Sequence, residues 1–308
     1  MGGTAWLSAS ARSIRWKKTV PQPDNSAETF NRLRPRLTRI AYRMLGSVAE
    51  AEDIVQEGFI RWHQADRSDV RSEEAFLVRT ITRLCLDHLK SARVRRETYV
   101  GNWLPEPIFD PSEDESDSDI TLTLMMALER LSPLERAAFL LHDVFGQDFN
   151  QISEAISRDP ATCRQLASRA RSHVQKAKPR FPVSDEQGKN IAAAFFKASR
   201  SGDMQALQSL LADDVVLYAD GGGIRFAAID PIHSMANVCL FFGDVSRRAA
   251  YSLPPLVHEG LIDGLPGFVT AESDGIPQTT ALEIEDGKIK AIYVVRNPEK
   301  LRHLDFAH

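Results

Sequence analysis

The chain reads as a multidomain protein: two all-α helical units, the second ending in a helix-turn-helix, followed by an α+β unit built on antiparallel strands. Three observations predict this. Apolar residues recur at helical spacing from about Phe30 to Arg96 and again over 121–180. Between them, 106–119 carries Glu106, Asp110, Glu113, Asp114, Glu115, Asp117 and Asp119 with no basic residue, the pattern of a connector. After Pro179 and Pro182 the long helical periods give way to two helices and then short strand-like runs, the order of an α+β domain.

A chain of 308 residues, 43% of them hydrophobic, can bury several cores and suggests two or three domains. Its net charge of −4 argues against a uniformly basic nucleic-acid binder, but the charge is segregated along the chain. Cys85, Cys163 and Cys239 are far apart with no C-x-x-C pair, which predicts neither a disulfide framework nor a zinc site. No metal or cofactor is expected. No apolar run reaches the ~18 residues of a membrane span. The N-terminal stretch, with Trp6, Arg12, Arg15, Trp16, Lys17 and Lys18, lacks the apolar segment of a signal peptide. The expectation is therefore a cytoplasmic protein with a disordered tail at 1–24, closed by Pro21 and Pro23.

The first helical unit is placed at 25–98. Gly46 breaks its first helix pair, and Ser72-Glu73-Glu74 begins another helix. Ser47 and Glu50 have capping-box spacing, so hydroxyl and carboxylate together start a helix there. On that helix Val48, Ala51, Val55, Phe59 and Trp62 form the core stripe. Asp53, Gln56, Glu57 and Ile60 share another face at i, i+3, i+4 and i+7. Three polar groups around one exposed Ile suit either a solvated surface or a docking face. The last helix carries Arg79, Arg83, Lys90, Arg93, Arg95 and Arg96 against a lone Asp87. That is either a solvated cationic face or a footprint for a phosphate backbone.

The connector, 99–120, opens with Trp103-Leu104-Pro105-Glu106-Pro107, an apolar, proline-stiffened element suited to docking. The second helical unit, 121–182, begins a helix at Ser132-Pro133-Leu134-Glu135, with cap, first-turn proline and capping-box glutamate in register. A short helix from Phe149 to Ile156, the turn Ser157-Arg158-Asp159 and a longer helix capped by Asp159 make a helix-turn-helix. Cys163, Leu166, Ala167, Ala170 and Val174 form the buried stripe of the longer helix. Thr162, Arg164, Gln165, Ser168, Arg169 and Arg171 then point outward, a set able to read bases and hold phosphates in a major groove. Ser157 stands where a positive φ would favour glycine.

An acidic docking helix, a basic helix, an acidic connector and a C-terminal helix-turn-helix, in that order over about Phe30 to Arg180, resemble the extracytoplasmic-function sigma factors of the sigma-70 superfamily. The resemblance implies no catalytic centre and two partners, core RNA polymerase and promoter DNA. Asp53, Gln56 and Glu57 match the Asp-x-x-Gln-Glu pattern that docks on a coiled coil of the largest polymerase subunit, with Ile60 beside them. The helix from Arg79 to Arg96 would lie on the minus-ten element, and the outward set from Thr162 to Arg171 on the minus-thirty-five element. The acidic connector would thread a basic polymerase channel. Phe76 stands where relatives often have Trp, and Arg83 where they often have Asn, which leaves the minus-ten base contacts open.

Residues 185–308 form the extension. Helices are expected at 187–200 and 203–211, a strand from Asp214 to Ala219, and a helix near Pro231 to Phe242. Strands follow at 248–257, 266–272, 278–285 and 288–295. Three short elements, Trp103 to Pro107, Asp220-Gly221-Gly222-Gly223 and Asn297-Pro298-Glu299-Lys300-Leu301, resemble a sigma subgroup with a fused SnoaL-like domain. CRQLASRAR, from Cys163 to Arg171, points to the same subgroup. The resemblance implies a curved sheet wrapped around a pocket and a built-in regulator in place of a separate anti-sigma protein. Trp103 is the expected anchor against the cone. Two other readings stay open: a helix-turn-helix regulator with a ligand-sensing cone, and an isomerase or cyclase using Asp220, His233, His258 or Asp263 as acid and base.

Overall fold

The computed structural model describes residues 26–68, 70–97, 99–109, 121–174, 184–248 and 254–304, and of 92–97, 185 and 248 only the backbone. The tail expected at 1–24 and the acidic connector from Asp110 to Asp119 lie outside these residues.

Helices α1 (Ser26–Leu45), α2 (Val48–Gln64) and α3 (Glu73–Glu97) form the first unit. Gly46 separates α1 from α2 with φ +72, a left-handed position that costs glycine nothing. Trp62 is fully buried, its indole N–H donating to the Ser26 carbonyl at 3.0 Å and its ring 5.4 Å from Phe76. Helices α4 (Leu122–Leu128), α5 (Pro133–Phe139), α6 (Phe149–Ile156) and α7 (Pro160–Val174) form the second unit. The Ser132–Glu135 capping box closes as expected, and α5 runs on into a π-helical turn, Leu140–Val144, which the sequence reading did not anticipate. Asp148 and Gln151 close a second box on α6. Helices of seven or eight residues bury little alone. The two helical units accordingly share one continuous hydrophobic core, from Phe30 on α1 to Val174 on α7.

The C-terminal unit carries α8 (Asp185–Ser201), α9 (Met204–Leu210), β1 (Leu211–Asp220), β2 (Ile232–His233), α10 (Met235–Arg248), β3 (Leu256–Ile262), β4 (Leu265–Ala271), β5 (Pro277–Glu285) and β6 (Lys288–Val295). A 3₁₀ turn, Pro298–Leu301, follows. The strand order is β2-β1-β6-β5-β4-β3, with β1 and β6 parallel and the other pairs antiparallel. One expectation was misplaced. The strand assigned to 248–257 begins at Leu256, and α10 runs through Arg248. The register there is set by a two-residue hairpin, Asp263-Gly264, with φ +46 and +70, the geometry that Asp-Gly favours.

Both faces of the sheet are covered. On β6, Ile292 and Val294 pack toward the helices, while Ala291, Tyr293 and Val295 pack with Leu104 of the connector and Leu122 of α4. Among the described residues no helix is long and apolar enough to cross a membrane.

Candidate functional site

The outward face of α2 forms as its spacing predicts: Asp53, Gln56 and Ile60 are exposed and Glu57 is half-buried, ion-paired to Arg61 at 2.8 Å. The stripe beneath it also contains Ile54 and Gly58, and an added Cβ on Gly58 would lie 2.5 Å from Ile81. The start of α2 differs from the expected capping box. Ser47 accepts from the Glu50 amide at 3.2 Å, but Glu50 turns to His88 at 3.0 Å. The carboxylate at this helix end belongs to Glu106 of the connector, which accepts from the Ser47 hydroxyl and the Val48 amide, each at 2.7 Å. A long-range carboxylate meets the positive end of the helix dipole as well as a local one does.

The basic residues of α3 divide. Lys90 pairs with Asp87 on its own helix at 2.7 Å. Arg79 lies 3.3 Å from Glu154, and Arg83 donates to the Glu154 carbonyl at 2.7 Å and to the Ala155 carbonyl and Ser157 hydroxyl at 3.3 Å. Arg79 and Arg83 are thus engaged with the helix-turn-helix, across the end of α6. The side chains of Arg93, Arg95 and Arg96 lie outside the described residues.

Within the helix-turn-helix, Ser157 takes φ +54, so the turn carries the left-handed residue that its position suggested. Asp159 caps α7 by accepting from the Thr162 amide and hydroxyl at 2.9 and 2.6 Å, which turns Thr162 toward the cap. Arg171 is ion-paired to Asp143 at 2.6 Å. Arg164, Gln165, Ser168 and Arg169 face outward, with Arg164 over the Phe149 ring at 5.6 Å.

The third constellation is the junction of connector and cone. Asp220, at the end of β1, is 0% exposed. Its Oδ1 accepts from the Tyr99 hydroxyl at 2.5 Å and the Gly222 amide at 3.0 Å, and its Oδ2 from the Leu104 amide at 2.9 Å and Lys300 Nζ at 2.7 Å. Lys300 also donates to the Leu104 carbonyl and lies over the Trp103 and Tyr99 rings, 4.2 and 4.9 Å from their centroids. Asn297 donates to the Tyr99 hydroxyl at 2.9 Å and accepts from the Glu299 amide at 3.0 Å. Burial, and then the charge of Asp220, push the Tyr99 phenol well above its ordinary pKa, so it stays a donor. Gly222, at φ +62, leaves room for the Asn297 amide, which a Cβ there would approach to 2.4 Å. Trp103, Asp220-Gly221-Gly222-Gly223 and Asn297 to Leu301 therefore meet, as an anchor at Trp103 against the cone would require.

Leu104, rather than Trp103, is the fully buried residue of the element, while Trp103 lies under Lys300 of the cone. Leu104 is fully buried in the sheet-side cluster, whereas Trp103 is half-buried and lies across Gly46. A Cβ on Gly46 would sit 2.5 Å from that indole, so the helix break also makes the seat for Trp103.

Sequence reading missed the second carboxylate of the junction. Asp263 is 1% exposed. Its Oδ1 accepts from the Tyr42 hydroxyl of α1 at 2.9 Å, its Oδ2 from the Ile108 amide at 3.2 Å, and its carbonyl from the Leu122 amide of α4 at 2.9 Å. One residue of the cone thereby touches the first helical unit, the connector and the second helical unit. Burial, and then Asp263, raise the Tyr42 pKa well above its ordinary value. In sequence Asp263 stands out as a candidate acid or base and as the Asp-Gly of a hairpin between two strands, neither of which points to the junction. Of the acid and base groups considered for an enzyme, Asp220 and Asp263 are engaged by the connector, and His233 and His258 are exposed.

The Sigma-70 region 2 family matches residues 29–95 and the Sigma-70, region 4 family residues 121–174. The chain is 36% identical over 287 residues to the ECF RNA polymerase sigma factor SigJ of Mycobacterium tuberculosis, spanning 88% of this chain and 91% of that protein. It is 32% identical over 290 residues to a protein of the same organism named probable ECF RNA polymerase sigma factor SigI, spanning 92% and 97%. The crystal structure of SigJ superposes with a TM-score of 0.72 at 33% identity, covering 89% of this chain and 98% of that one.

Proposed function

This chain belongs to the extracytoplasmic-function sigma factors with a fused SnoaL-like domain, which act in transcription initiation, and we propose that the fused domain regulates that activity from within. Two buried carboxylates carry the reading: Asp220 and Asp263 hold the connector, and Asp263 reaches both helical units. The cone clasps the connector and fixes the two DNA-binding units together. In that arrangement Arg79 and Arg83 of the minus-ten helix are also engaged by α6, which competes with phosphates for part of their donors. Releasing the clasp frees the connector.

Core RNA polymerase docks on Asp53, Gln56, Glu57 and Ile60. Promoter DNA meets Arg79, Arg83, Lys90, Arg93, Arg95 and Arg96 at the minus-ten element and Thr162, Arg164, Gln165, Ser168, Arg169 and Arg171 at the minus-thirty-five element. Thr162 and Arg171 act there by orienting the helix, given their caps and pairs. The extension is not an enzyme, the protein works in the cytoplasm, and no separate anti-sigma protein is required. Tethering supplies the high effective concentration that makes a second protein unnecessary.

Run-off transcription with purified core polymerase tests this. Asp263→Asn and Asp220→Asn are expected to raise transcript yield several-fold over the parent chain. Unchanged yield from both, with the connector shown by limited proteolysis to be released, sinks the regulatory reading.

A further inference from the structure

The cone encloses a cavity of about 420 Å³, within the size range of small-molecule sites, on the helix side of the sheet. Phe195, Phe242 and Phe268 are buried in its wall, and Phe226, exposed, stands at its edge. Apolar walls of this kind suit a hydrophobic body, and the polar groups among them set what else a ligand needs.

Three guanidinium groups gather at this end of the cone. Arg200 is matched by Glu272, with contacts of 2.7 and 3.3 Å, and Arg225 by Asp274 at 2.6 Å. Arg296, which lines the cavity, has no carboxylate partner among the described residues. Its Nη1 donates to the Phe226 carbonyl at 2.7 Å, and its buried Nε has no hydrogen-bond partner there. Burial, and then the like charge of Arg225, push its pKa down, against the more distant opposing charges of Glu272 and Asp274. A buried donor without an acceptor is costly, and an anion placed against it removes that cost.

We propose that the cavity binds a small apolar carboxylate, its hydrophobic body among the phenylalanines and its anion on Arg296. Among the described residues Arg296 is the one guanidinium of the three without a carboxylate ion pair, which calls for a single negative charge, and Glu272 in the same wall disfavours a dianion. The site adjoins the clasp. Ala219 and Arg296 line the cavity, while the next residues, Asp220 and Asn297, hold Tyr99, and the Arg296 amide donates to the Asp220 carbonyl at 2.7 Å. Such a ligand is the chemical input of the proposed regulator, a step that rests on that reading.

The test is titration calorimetry of the full chain with 2-naphthoate and its neutral isostere 2-naphthamide. Naphthoate should bind at least tenfold more tightly, Arg296→Gln should abolish the difference, and naphthoate should shift the Ala219 and Val294 methyl resonances of the parent chain. Equal affinities, no naphthoate binding, shifts elsewhere or a preference that survives in folded Arg296→Gln overturns the proposal. The parent-chain measurements decide it even if that variant does not fold. Naphthoate binding with transcription insensitive to release of the clasp removes the regulatory reading and leaves the site.

Discussion

The acidic face of α2 and the junction of connector and cone use the same chemical group in opposite settings. Asp53 stands in solvent on a single helix, its neighbours fixed by spacing along fewer than two turns. Asp220 and Asp263 are fully enclosed, and their partners come from Tyr99, Leu104, Lys300 and Tyr42, far away in the chain. An exposed carboxylate costs little to keep or to lose, because water holds its charge. A buried one must be matched by several donors, and removing the cation among them leaves an uncompensated charge. The first arrangement suits recognition of an external partner. The second suits holding the chain's own segments in one geometry.

Lys300→Met should break that comparison most severely. It leaves Asp220 buried without its cation and should cost about 3–5 kcal/mol in chemical denaturation. A loss near zero would mean that water reaches Asp220 and that the junction is looser than its burial indicates. Tyr42→Phe comes next, removing the hydroxyl at Asp263 and at the Glu106 carbonyl, with about 1–3 kcal/mol lost on the same assay. Gly46→Ala forces a side chain into left-handed backbone and against Trp103, for about 1–2 kcal/mol before the indole moves. A red shift of Trp103 emission, isolated by comparison with Trp103→Phe, should accompany it.

At the solvent end, Asp53→Lys should change stability by less than about 0.5 kcal/mol. Run-off transcription with core polymerase should nevertheless fall at least tenfold. Normal transcription from that variant would return the face of α2 to plain solvation.

Local signals were legible wherever a few neighbouring residues decide the outcome. Ser132 and Glu135 start α5, Asp159 caps α7, and Ser157 takes the left-handed position that the turn needs, because each involves backbone groups within four residues. The unbroken apolar run AIYVV in β6 reflects a strand buried on both faces. The same logic misled at Ser47 and Glu50. The spacing was right, but Glu106 offers its carboxylate to the helix end and His88 engages Glu50. Spacing cannot show a competitor that arrives from another part of the chain.

The sequence by itself determined the order of the helical units and the faces of α2 and α7, and its resemblance to a sigma subgroup singled out three short elements. Only the tertiary structure decided which residues hold those elements together. Leu104 is buried more deeply than Trp103 because the sheet face takes its side chain, while Trp103 lies between Gly46 and Lys300. Asp263, ordinary as a hairpin residue, became the point where three segments join because the hairpin delivers its carboxylate to Tyr42 and Ile108. Arg83, read as a contact for DNA, also lies on the end of α6, because the short helices of the second unit share one core with the long helices of the first. Helix starts and faces follow from bonds between near neighbours, whereas a buried charge is matched only when folding brings its distant partners within reach.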